Sequence, residues 1–425
     1  MNGPTASTGR PRQLRLLVLG ALTLAAYVGA VSRGQSLLWF IAALLAATLI
    51  TGIVWPHWLV SRLAVNRSGP ERANEGERVA FRVEVRNRGV LPRFMIELVD
   101  RLPFVGAATG TAIAGDRMLG VVAYVGGNAR VSFDVPLSCE KRGLYTLGPV
   151  SLASTFPLGL AEARQRGNQG VQTLIIYPEV FPIVALPLHG APSQIHRGGF
   201  LLPQAAGAAE FCGLREYRRG DNPRHVHWPT SARLNELMVR EFEPLAAATL
   251  CLALDLSADA NVGTGRHSTL EYALKIAASI AQYACINGMP IRMTGHGARP
   301  LNIPAGSGDN QYRILLEELA IAASDGAIAY ARLLEDLAMD CEAGETVVVF
   351  LAEVETHMAS TLQALALLRS CGAHILAVCF DRASFGAARH DRRTPAYAVP
   401  DALLALGAVC IPLRKGDDLF EIFNP

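Results

Sequence analysis

The sequence predicts an α/β plus all-β protein: two membrane-spanning helices, then an all-β domain, then a doubly wound α/β domain. Three observations lead to this fold class. The N-terminal region contains two long apolar stretches, the middle of the chain alternates apolar with polar residues, and the C-terminal region alternates apolar strand runs with helical runs. With 425 residues the chain has room for two or three domains, and its net charge of +2 argues against a dedicated binder of polyanions.

The N-terminal segment, residues 1–62, is predicted to be a tail followed by a transmembrane helical hairpin. Its two apolar stretches, at about 14–32 and 36–55, each have about the ~20 residues that a helix needs to cross a bilayer. Arginines precede the first stretch and follow the second, whereas Arg33 alone lies between them, so the positive-inside rule puts both ends in the cytoplasm. If residues 1–30 were instead a cleaved signal peptide, the second helix would still leave the bulk of the chain inside.

Residues 63–182 are predicted to form a small antiparallel domain that is β-sandwich-like and of immunoglobulin type. In the run 79–85 every second residue is apolar, which places four apolar side chains on one face of a strand, and an Asn-Arg-Gly turn signal follows. Similar runs recur at 95–99, 131–135 and 171–177, with Gly and Pro between them. No long helical period interrupts this pattern.

The C-terminal segment, residues 249–425, is predicted to be an open, doubly wound α/β domain. Its strand runs are almost continuously apolar and are separated by helical runs, which indicates a parallel sheet covered on both faces. We predict strands at 249–254, 290–294, 346–351, 373–379 and 409–413, and helices at 269–286, 311–322, 327–339 and 358–370.

The segment between these domains, residues 183–248, is predicted to be a connector followed by a dense polar block at 213–243. Arginine supplies a planar fork of donors for carboxylates, Asp221 lies in a Gly-Asp-Asn-Pro turn, and Trp228 offers a large apolar face. The candidate binding residues of the block are Arg215, Tyr217, Gly220, Asp221, Arg224, Trp228, Ser231, Arg233, Arg240 and Glu241.

Two interpretations of this block stay open. Its six arginines face five acidic residues, a balance that favours internal ion pairs fixing the junction between the β-domain and the α/β domain. The alternative is a recognition surface for a partner or ligand. The same balance argues against nucleic acid, because binding along a phosphate backbone needs uncompensated Lys and Arg. His225 and His227 lack a third neighbour for zinc and are expected to lie on the surface or within the polar network.

The block G-L-R-E-Y-R-R-G-D-N-P-R-H-V-H-W-P-T-S-A-R closely resembles the signature of the bacterial domain of unknown function 58 family. The segment that starts at Phe156, F-P-L-G-L, resembles the end of the family's β-domain, where an Asp usually stands in place of Phe156. The resemblance implies a membrane hairpin, a β-rich segment and a von Willebrand factor A-like domain. It also implies a membrane-anchored protein with a MoxR-type AAA+ ATPase as the partner. Together with the positive-inside rule, we expect the bacterial inner (plasma) membrane, with the bulk of the chain cytoplasmic.

A second candidate site is Asp255-Leu-Ser257-Ala-Asp259, directly after the first predicted α/β strand. It resembles the DxSxS metal-ion-dependent adhesion site of von Willebrand factor A domains, with Asp259 in place of the last Ser. Alternating carboxylate and hydroxyl oxygens suit Mg²⁺. The alternative is that Asp255 caps a helix or pairs with an Arg. The loose candidates for further ligands are Ser307 or Asp309, and Glu353 or Glu355.

These features predict a membrane-anchored adaptor, not an enzyme, whose α/β domain binds the AAA+ ATPase in a cell-envelope or stress-related process. The sequence has no GxxxxGK[ST] phosphate loop, and its eight cysteines contain no CxxC pair, which fits reduced thiols without structural zinc. Two alternatives stay open. One is a metal-dependent hydrolase. The other is an envelope structural protein that binds other membrane proteins through the β-domain. The lipid bilayer is an expected partner and nucleic acid is not.

Overall fold

The computed structural model describes residues 9–105, 116–167, 170–186, 210–216, 227–234, 236–243, 249–352, 355–386 and 398–424. The chain divides into two compact units, Met1–Tyr177 and Pro178–Pro425. The predicted boundaries of the four segments stay predictions.

Two helices begin the first unit, α1 (Gly9–Arg33) and α2 (Ser36–Val60). Both predicted helices are therefore present, and both are longer than predicted. Arg12–Arg33 within α1 and the whole of α2 are long and apolar enough to cross a membrane. Gly34 forms the turn between them: its φ is 61°, a left-handed value that favours glycine, and its N–H donates to the Ala30 carbonyl at 3.0 Å.

The last turn of α2 extends beyond its predicted end because it packs into the β-rich part of the unit. Leu59 is fully buried in the apolar core of that part. Next to it, the guanidinium carbon of Arg93 lies 3.8 Å from the centre of the Trp58 ring, and Arg93 is only 3% exposed. A cation so close to an indole face is attracted by the ring quadrupole. The helix end and the β-rich part therefore share one packed interior.

Within the described residues of the first unit, ten strands form three sheets, with strand orders β1-β3-β6, β2-β10-β7 and β5-β4-β8-β9. All pairs are antiparallel except β2 and β10, which run parallel, so the prediction of a purely antiparallel domain was wrong at this pair. The β-rich character is confirmed, whereas the immunoglobulin type stays a prediction. The strands are β1 (Leu63–Ser68), β2 (Arg72–Asn74), β3 (Arg78–Asn87), β4 (Arg93–Arg101), β5 (Asp116–Val125), β6 (Arg130–Ser138), β7 (Gly143–Leu147), β8 (Ser151–Ser154), β9 (Ala163–Arg166) and β10 (Gln172–Tyr177).

The core of the first unit follows from the alternating pattern of its strands. In β3 the apolar residues Val79, Phe81, Val83 and Val85 are all buried, and the residues between them point away from the core. The core also contains a charged pair, in which Arg67 donates to Asp100 and to the carbonyls of Gly148 and Gly170 at 3.0 and 3.2 Å. Their side chains are 1% and 3% exposed. Such a pair needs this set of hydrogen bonds to offset its desolvation.

The second unit begins with a two-stranded antiparallel ribbon and a short helix. The strands are β11 (Glu210–Glu216) and β12 (Met238–Glu243), and the helix between them is α3 (Trp228–Leu234). The first of these strands begins inside the predicted connector.

A six-stranded sheet follows, with the order β15-β14-β13-β16-β17-β18. Helices α6 and α7 pack on one face of it, over Cys251, Val347 and Val349. The strands are β13 (Leu250–Leu254), β14 (Ile291–His296), β15 (Pro300–Gly306), β16 (Thr346–Leu351), β17 (His374–Phe380) and β18 (Val409–Leu413). The helices are α4 (Thr269–Ile286), α5 (Gly308–Ile321), α6 (Tyr330–Met339), α7 (Glu355–Ser370), α8 (Ala398–Ala405) and α9 (Leu419–Phe423).

The sheet confirms a mixed α/β unit, with one correction. Strand β15 lies at the edge and runs antiparallel to β14, whereas the sequence predicted a parallel sheet and no strand there. Its side chains are alternately exposed and buried over Pro300–Asn302, as expected where one face of a strand meets water. The other five strands run parallel to one another.

Candidate functional site

The polar block predicted as a binding site is built on the β11–β12 ribbon. The register sets Leu214 opposite Arg240 and Gly213 opposite Glu241, and a bulge lies between Phe211 and Gly213. The backbone of three candidate residues, Arg215, Arg240 and Glu241, therefore belongs to paired strands. Tyr217, Gly220, Asp221 and Arg224 lie outside the described residues, and so does His225.

Ser231 connects α3 to β12. The residue is 7% exposed, its hydroxyl donates to the His227 carbonyl at 3.0 Å, and the same oxygen accepts from the Met238 N–H at 2.9 Å. The backbone N–H of His227 in turn donates to the Met238 carbonyl at 2.8 Å. These contacts use the hydroxyl to close the loop before β12, which gives Ser231 a structural role.

Trp228 and Arg233 differ from Ser231 because both lie exposed on α3, Trp228 at 66%. An exposed indole is an efficient contact residue at protein interfaces. The block therefore contains one buried structural residue, Ser231, and two exposed residues, Trp228 and Arg233. The two interpretations of the block, a domain junction and a recognition surface, thus apply to different residues within it.

The second candidate site lies at the centre of the six-stranded sheet. Strand β13 has β14 on one side and β16 on the other, both parallel to it. The strand order reverses at this point, and open α/β sheets bind ligands at the carboxyl ends of strands where such a reversal occurs. Asp255 is the first residue after the carboxyl end of β13, so the sequence-predicted Asp255, Ser257 and Asp259 follow the strand end that borders this crevice.

The Asp255 carboxylate is satisfied on one oxygen only. Its Oδ1 accepts from the Ser257 hydroxyl at 2.6 Å and from the Ser257 N–H at 3.1 Å. Its Oδ2 is buried and has no hydrogen-bond partner among the described residues. Burial raises the pKa of Asp255 to about 6, although the Ser257 hydrogen bonds and the charges of Arg382 and His357 oppose the rise. A carboxyl group in this environment gains from a ligand that reaches its second oxygen.

Asp259, the third predicted member, contributes its backbone to the site. The residue is exposed, and its carbonyl accepts from Arg382 Nη1 at 3.1 Å. The same Nη1 donates to the Ala260 carbonyl at 3.3 Å and to the Ala352 carbonyl. Arg382 follows β17, Ala352 follows β16, and Asp259 follows β13. One guanidinium therefore ties together the loops at the carboxyl ends of three strands.

Tyr330 is a site residue that sequence reasoning missed. It is 2% exposed, its hydroxyl donates to the Ala253 carbonyl at 2.6 Å, and it accepts from the Phe350 N–H at 3.3 Å. The β13–β16 ladder ends at the pair Ala253–Val349. The hydroxyl thus forms hydrogen bonds with the backbone of β13 and of β16 where the two strands separate, and it stabilises the start of the crevice.

Ser324 and Gly326, on the segment after α5, were also missed. The Ser324 hydroxyl donates to the Ser257 carbonyl at 2.8 Å, and Gly326 forms a parallel β-bridge with Ser257. A Cβ on Gly326 would lie 2.0 Å from the His296 carbonyl oxygen, so only glycine fits this approach. The Ser-Asp-Gly sequence between two predicted helices was the available signal, since these residue types mark tight turns.

The structure separates Ser307 and Asp309 from Asp255. Because β15 runs antiparallel, its end at Gly306 pairs with Ile291, the first residue of β14. Ser307 and Asp309 therefore lie at the amino edge of the sheet, opposite to the carboxyl edge where Asp255 lies, and the suggestion that they supply further ligands was wrong. Glu353 and the side chain of Glu355 lie outside the described part of the chain, and α7, which begins at Glu355, follows the carboxyl end of β16.

The donors fit only a partly hydrated metal ion. Within the described residues no group of three His, Cys, Asp or Glu side chains could hold a metal. Asp255 Oδ2 and the Ser257 hydroxyl are two oxygen donors, which suits Mg²⁺ because this ion usually keeps several of its waters.

One stretch of the chain matches a known family. Residues 213–379 match the model of the family described as "Protein of unknown function DUF58". The chain therefore contains a DUF58 region. This DUF58 region runs from the first residue of the polar block to β17, and it includes the Asp255 crevice.

One curated relative is "Uncharacterized protein YeaD" from Bacillus subtilis (strain 168), which is 26% identical over 323 residues, or 74% of this chain and 76% of the relative. Among solved structures, the CARDB domain of a Pyrococcus furiosus protein is 12% identical and covers 27% of this chain and 94% of its own, with a TM-score of 0.17. An exo β-N-acetylglucosaminidase from Vibrio harveyi is 10% identical and covers 83% of this chain and 82% of its own, with a TM-score of 0.22. TM-scores this low do not establish a shared fold.

Proposed function

We propose that this protein is a membrane-anchored adaptor whose C-terminal α/β unit binds a protein partner at the Asp255 crevice. The observation that carries the proposal is the buried Oδ2 of Asp255. No described residue forms a hydrogen bond with this oxygen. A buried carboxylate oxygen in that state costs free energy, and a ligand that reaches it recovers that cost. The oxygen lies at the carboxyl end of the central strand, where the loops after three strands meet at Arg382.

We further propose that the α/β unit is von Willebrand factor A-like. The antiparallel edge strand, the position of β13 at the switch point and the sequence Asp255-Leu-Ser257 after it support this assignment. In this proposal Asp255 and Ser257 hold Mg²⁺, which supplies a positive charge for an acidic side chain of the partner. Asp259 is exposed, and in this proposal its role is structural: its backbone carbonyl accepts a hydrogen bond from Arg382.

The partner that we propose is a MoxR-type AAA+ ATPase, and the site of action is the cytoplasmic face of a bacterial inner membrane in an envelope or stress-related process. The family resemblance supports the ATPase. The two N-terminal helices support an anchor, and the arginines on both sides of the helix pair support cytoplasmic placement of the bulk of the chain.

The test uses the full-length chain in lipid nanodiscs and the MoxR-type ATPase of the same genome, with their association measured by biolayer interferometry. We expect Asp255→Asn to weaken binding by about tenfold or more, because a charge-assisted contact contributes ~1.5–3 kcal/mol. Replacing Mg²⁺ with a chelator should weaken wild-type binding in the same way. Asp309→Asn is the matched control, since it removes an exposed carboxylate at the opposite edge of the same sheet.

Equal binding by wild type and Asp255→Asn would contradict the proposed site. If the soluble β-rich part of the first unit then competed for the partner, the envelope structural alternative would be favoured. Divalent-metal-dependent hydrolysis that Asp255→Asn abolishes, without any binding of the ATPase, would favour the metal-dependent hydrolase.

A further inference from the structure

The loop between β8 and β9 carries apolar side chains that the described residues leave uncovered. Phe156 is 39% exposed and Leu158 is 46% exposed. The loop residues from Thr155 to Ala161 include no charged side chain. The Gly159 N–H donates to the Thr155 carbonyl at 2.8 Å and closes a tight turn, so residues 156–158 form its tip.

This loop packs against α2, one of the two helices long and apolar enough to cross a membrane. A Cβ on Gly52 would lie 2.6 Å from Cδ1 of Leu160 and 3.3 Å from its Cβ, so the leucine occupies the space that the glycine leaves. The next strand, β9, also contacts α2. Strand β8, the loop and β9 are therefore held along the side of the helix.

A second contact ties the loop to α1. Glu162, directly after the loop, forms an ion pair with Arg12. Arg12 lies in the first turns of α1, two residues before the predicted apolar stretch 14–32. The ion pair is therefore near the polar end of α1, and Leu160 contacts α2 within the predicted apolar stretch 36–55.

The tryptophans of α2 indicate how deep the loop reaches. Trp55 is 42% exposed and packs against Trp58 near the C-terminal end of the helix, with the two rings tilted by 50° and their centres 5.3 Å apart. Indole rings favour the headgroup level of a bilayer. Gly52 precedes Trp55 by three residues, which is ~4.5 Å along a helix at 1.5 Å per residue. If α2 spans a bilayer with Trp55 at the headgroup level, Leu160 meets α2 on the bilayer side of Trp55, where acyl chains begin.

We propose that the tip Phe156–Leu158 inserts into the acyl-chain boundary of the bilayer beside α2, so that the first unit contacts the membrane through a loop as well as through its helices. The occupant of the apolar tip is lipid, since burial of exposed Phe and Leu side chains among acyl chains is favourable. This inference rests on the membrane anchor of the proposed function, and the experiment separates the two.

The experiment places a benzophenone amino acid at single positions of the full-length chain in vesicles of phosphatidylethanolamine and phosphatidylglycerol. After irradiation, mass spectrometry measures the yield of phospholipid adduct. Trp55 reports on the helix anchor. Val171 is the matched control, because it is 69% exposed and follows Gly170, which lies beside Arg67 near the end of β1 away from α2.

We expect the adduct yield at Leu158 to be about fivefold or more above that at Val171 and comparable to that at Trp55, because the probe would then lie among acyl chains. Adducts at Trp55, with Leu158 as low as Val171, would overturn the loop insertion and leave the anchor intact. Loss of adducts at both Trp55 and Leu158 would overturn the anchor and the insertion together. The same probe at Phe156 replaces the Leu158 variant if that variant does not fold.

Discussion

Asp255→Asn is expected to stabilise the α/β unit at neutral pH while it weakens partner binding. The asparagine keeps an acceptor oxygen for Ser257 and removes the charge that burial disfavours. When a buried carboxylate that binds a ligand destabilises the folded state, its removal commonly raises stability and lowers function.

The magnitude follows from the pKa of Asp255, which burial raises from 3.8 to about 6. Because the folded state holds the proton more tightly than the unfolded state, the stability from this carboxyl is fully present below about pH 4. It is lost as the pH rises through 6. A difference of about two pKa units at 1.36 kcal/mol each gives a loss of at most about 3 kcal/mol at pH 7.5. We expect Asp255→Asn to recover about 1–3 kcal/mol at pH 7.5 and less than about 1 kcal/mol at pH 4.

The assay is urea unfolding of the full-length chain in detergent micelles with a chelator present, followed by hydrogen-exchange mass spectrometry of peptides that cover β13. This readout is local, so unfolding of the first unit does not enter it. Asp309→Asn serves again as the exposed control and should leave β13 unchanged. A variant Asp255→Asn that is no more stable than wild type at pH 7.5, or whose advantage is as large at pH 4, would refute the burial argument.

Two predictions concern the first unit. Asp100→Asn should destabilise it by about 3–5 kcal/mol in urea unfolding, because Arg67 would stay buried without its counter-charge, whereas Asp134→Asn breaks an exposed cross-strand pair and should have little effect. Gly52→Ala should cost about 1–3 kcal/mol through overpacking against Leu160, and Leu160→Ala in the same chain should remove most of that cost. Equal effects of the two Asp changes would contradict the first prediction, and strict additivity of the Gly52 and Leu160 changes would contradict the second.

The local residue pattern was sufficient to predict the bounds of elements that are buried on all sides or that begin with a capping residue. Strand β16 and helix α4 agree with the sequence prediction residue for residue. Every residue of β16 is buried, so its apolar run is continuous. Helix α4 begins where the Ser268 side chain accepts from the Glu271 N–H at 3.3 Å, and this N-cap fixes the first residue of the helix.

Local pattern failed where strand direction or distant loops decide the outcome. Strand β15 contains Pro300 and Pro304, and its side chains alternate between exposed and buried positions. An edge strand tolerates proline, but the two prolines made the sequence look unlike a strand. Its antiparallel direction carried Ser307 and Asp309 to the wrong edge of the sheet. Tyr330 and Arg382 contact the residues around Asp255 from elements far along the chain, and such long-range contacts cannot be read from residue spacing.

The burial of Leu59 and the stacking of Arg93 on Trp58 have a mechanical consequence. Because the last turn of α2 is part of the β-rich interior, no slack linker lies between that helix and the strands. If α2 spans a bilayer, a force applied to the β-rich part would be transmitted to the membrane as torque on α2. A swivelling tether would dissipate the same force. Rigid mounting of this kind suits a component that bears load.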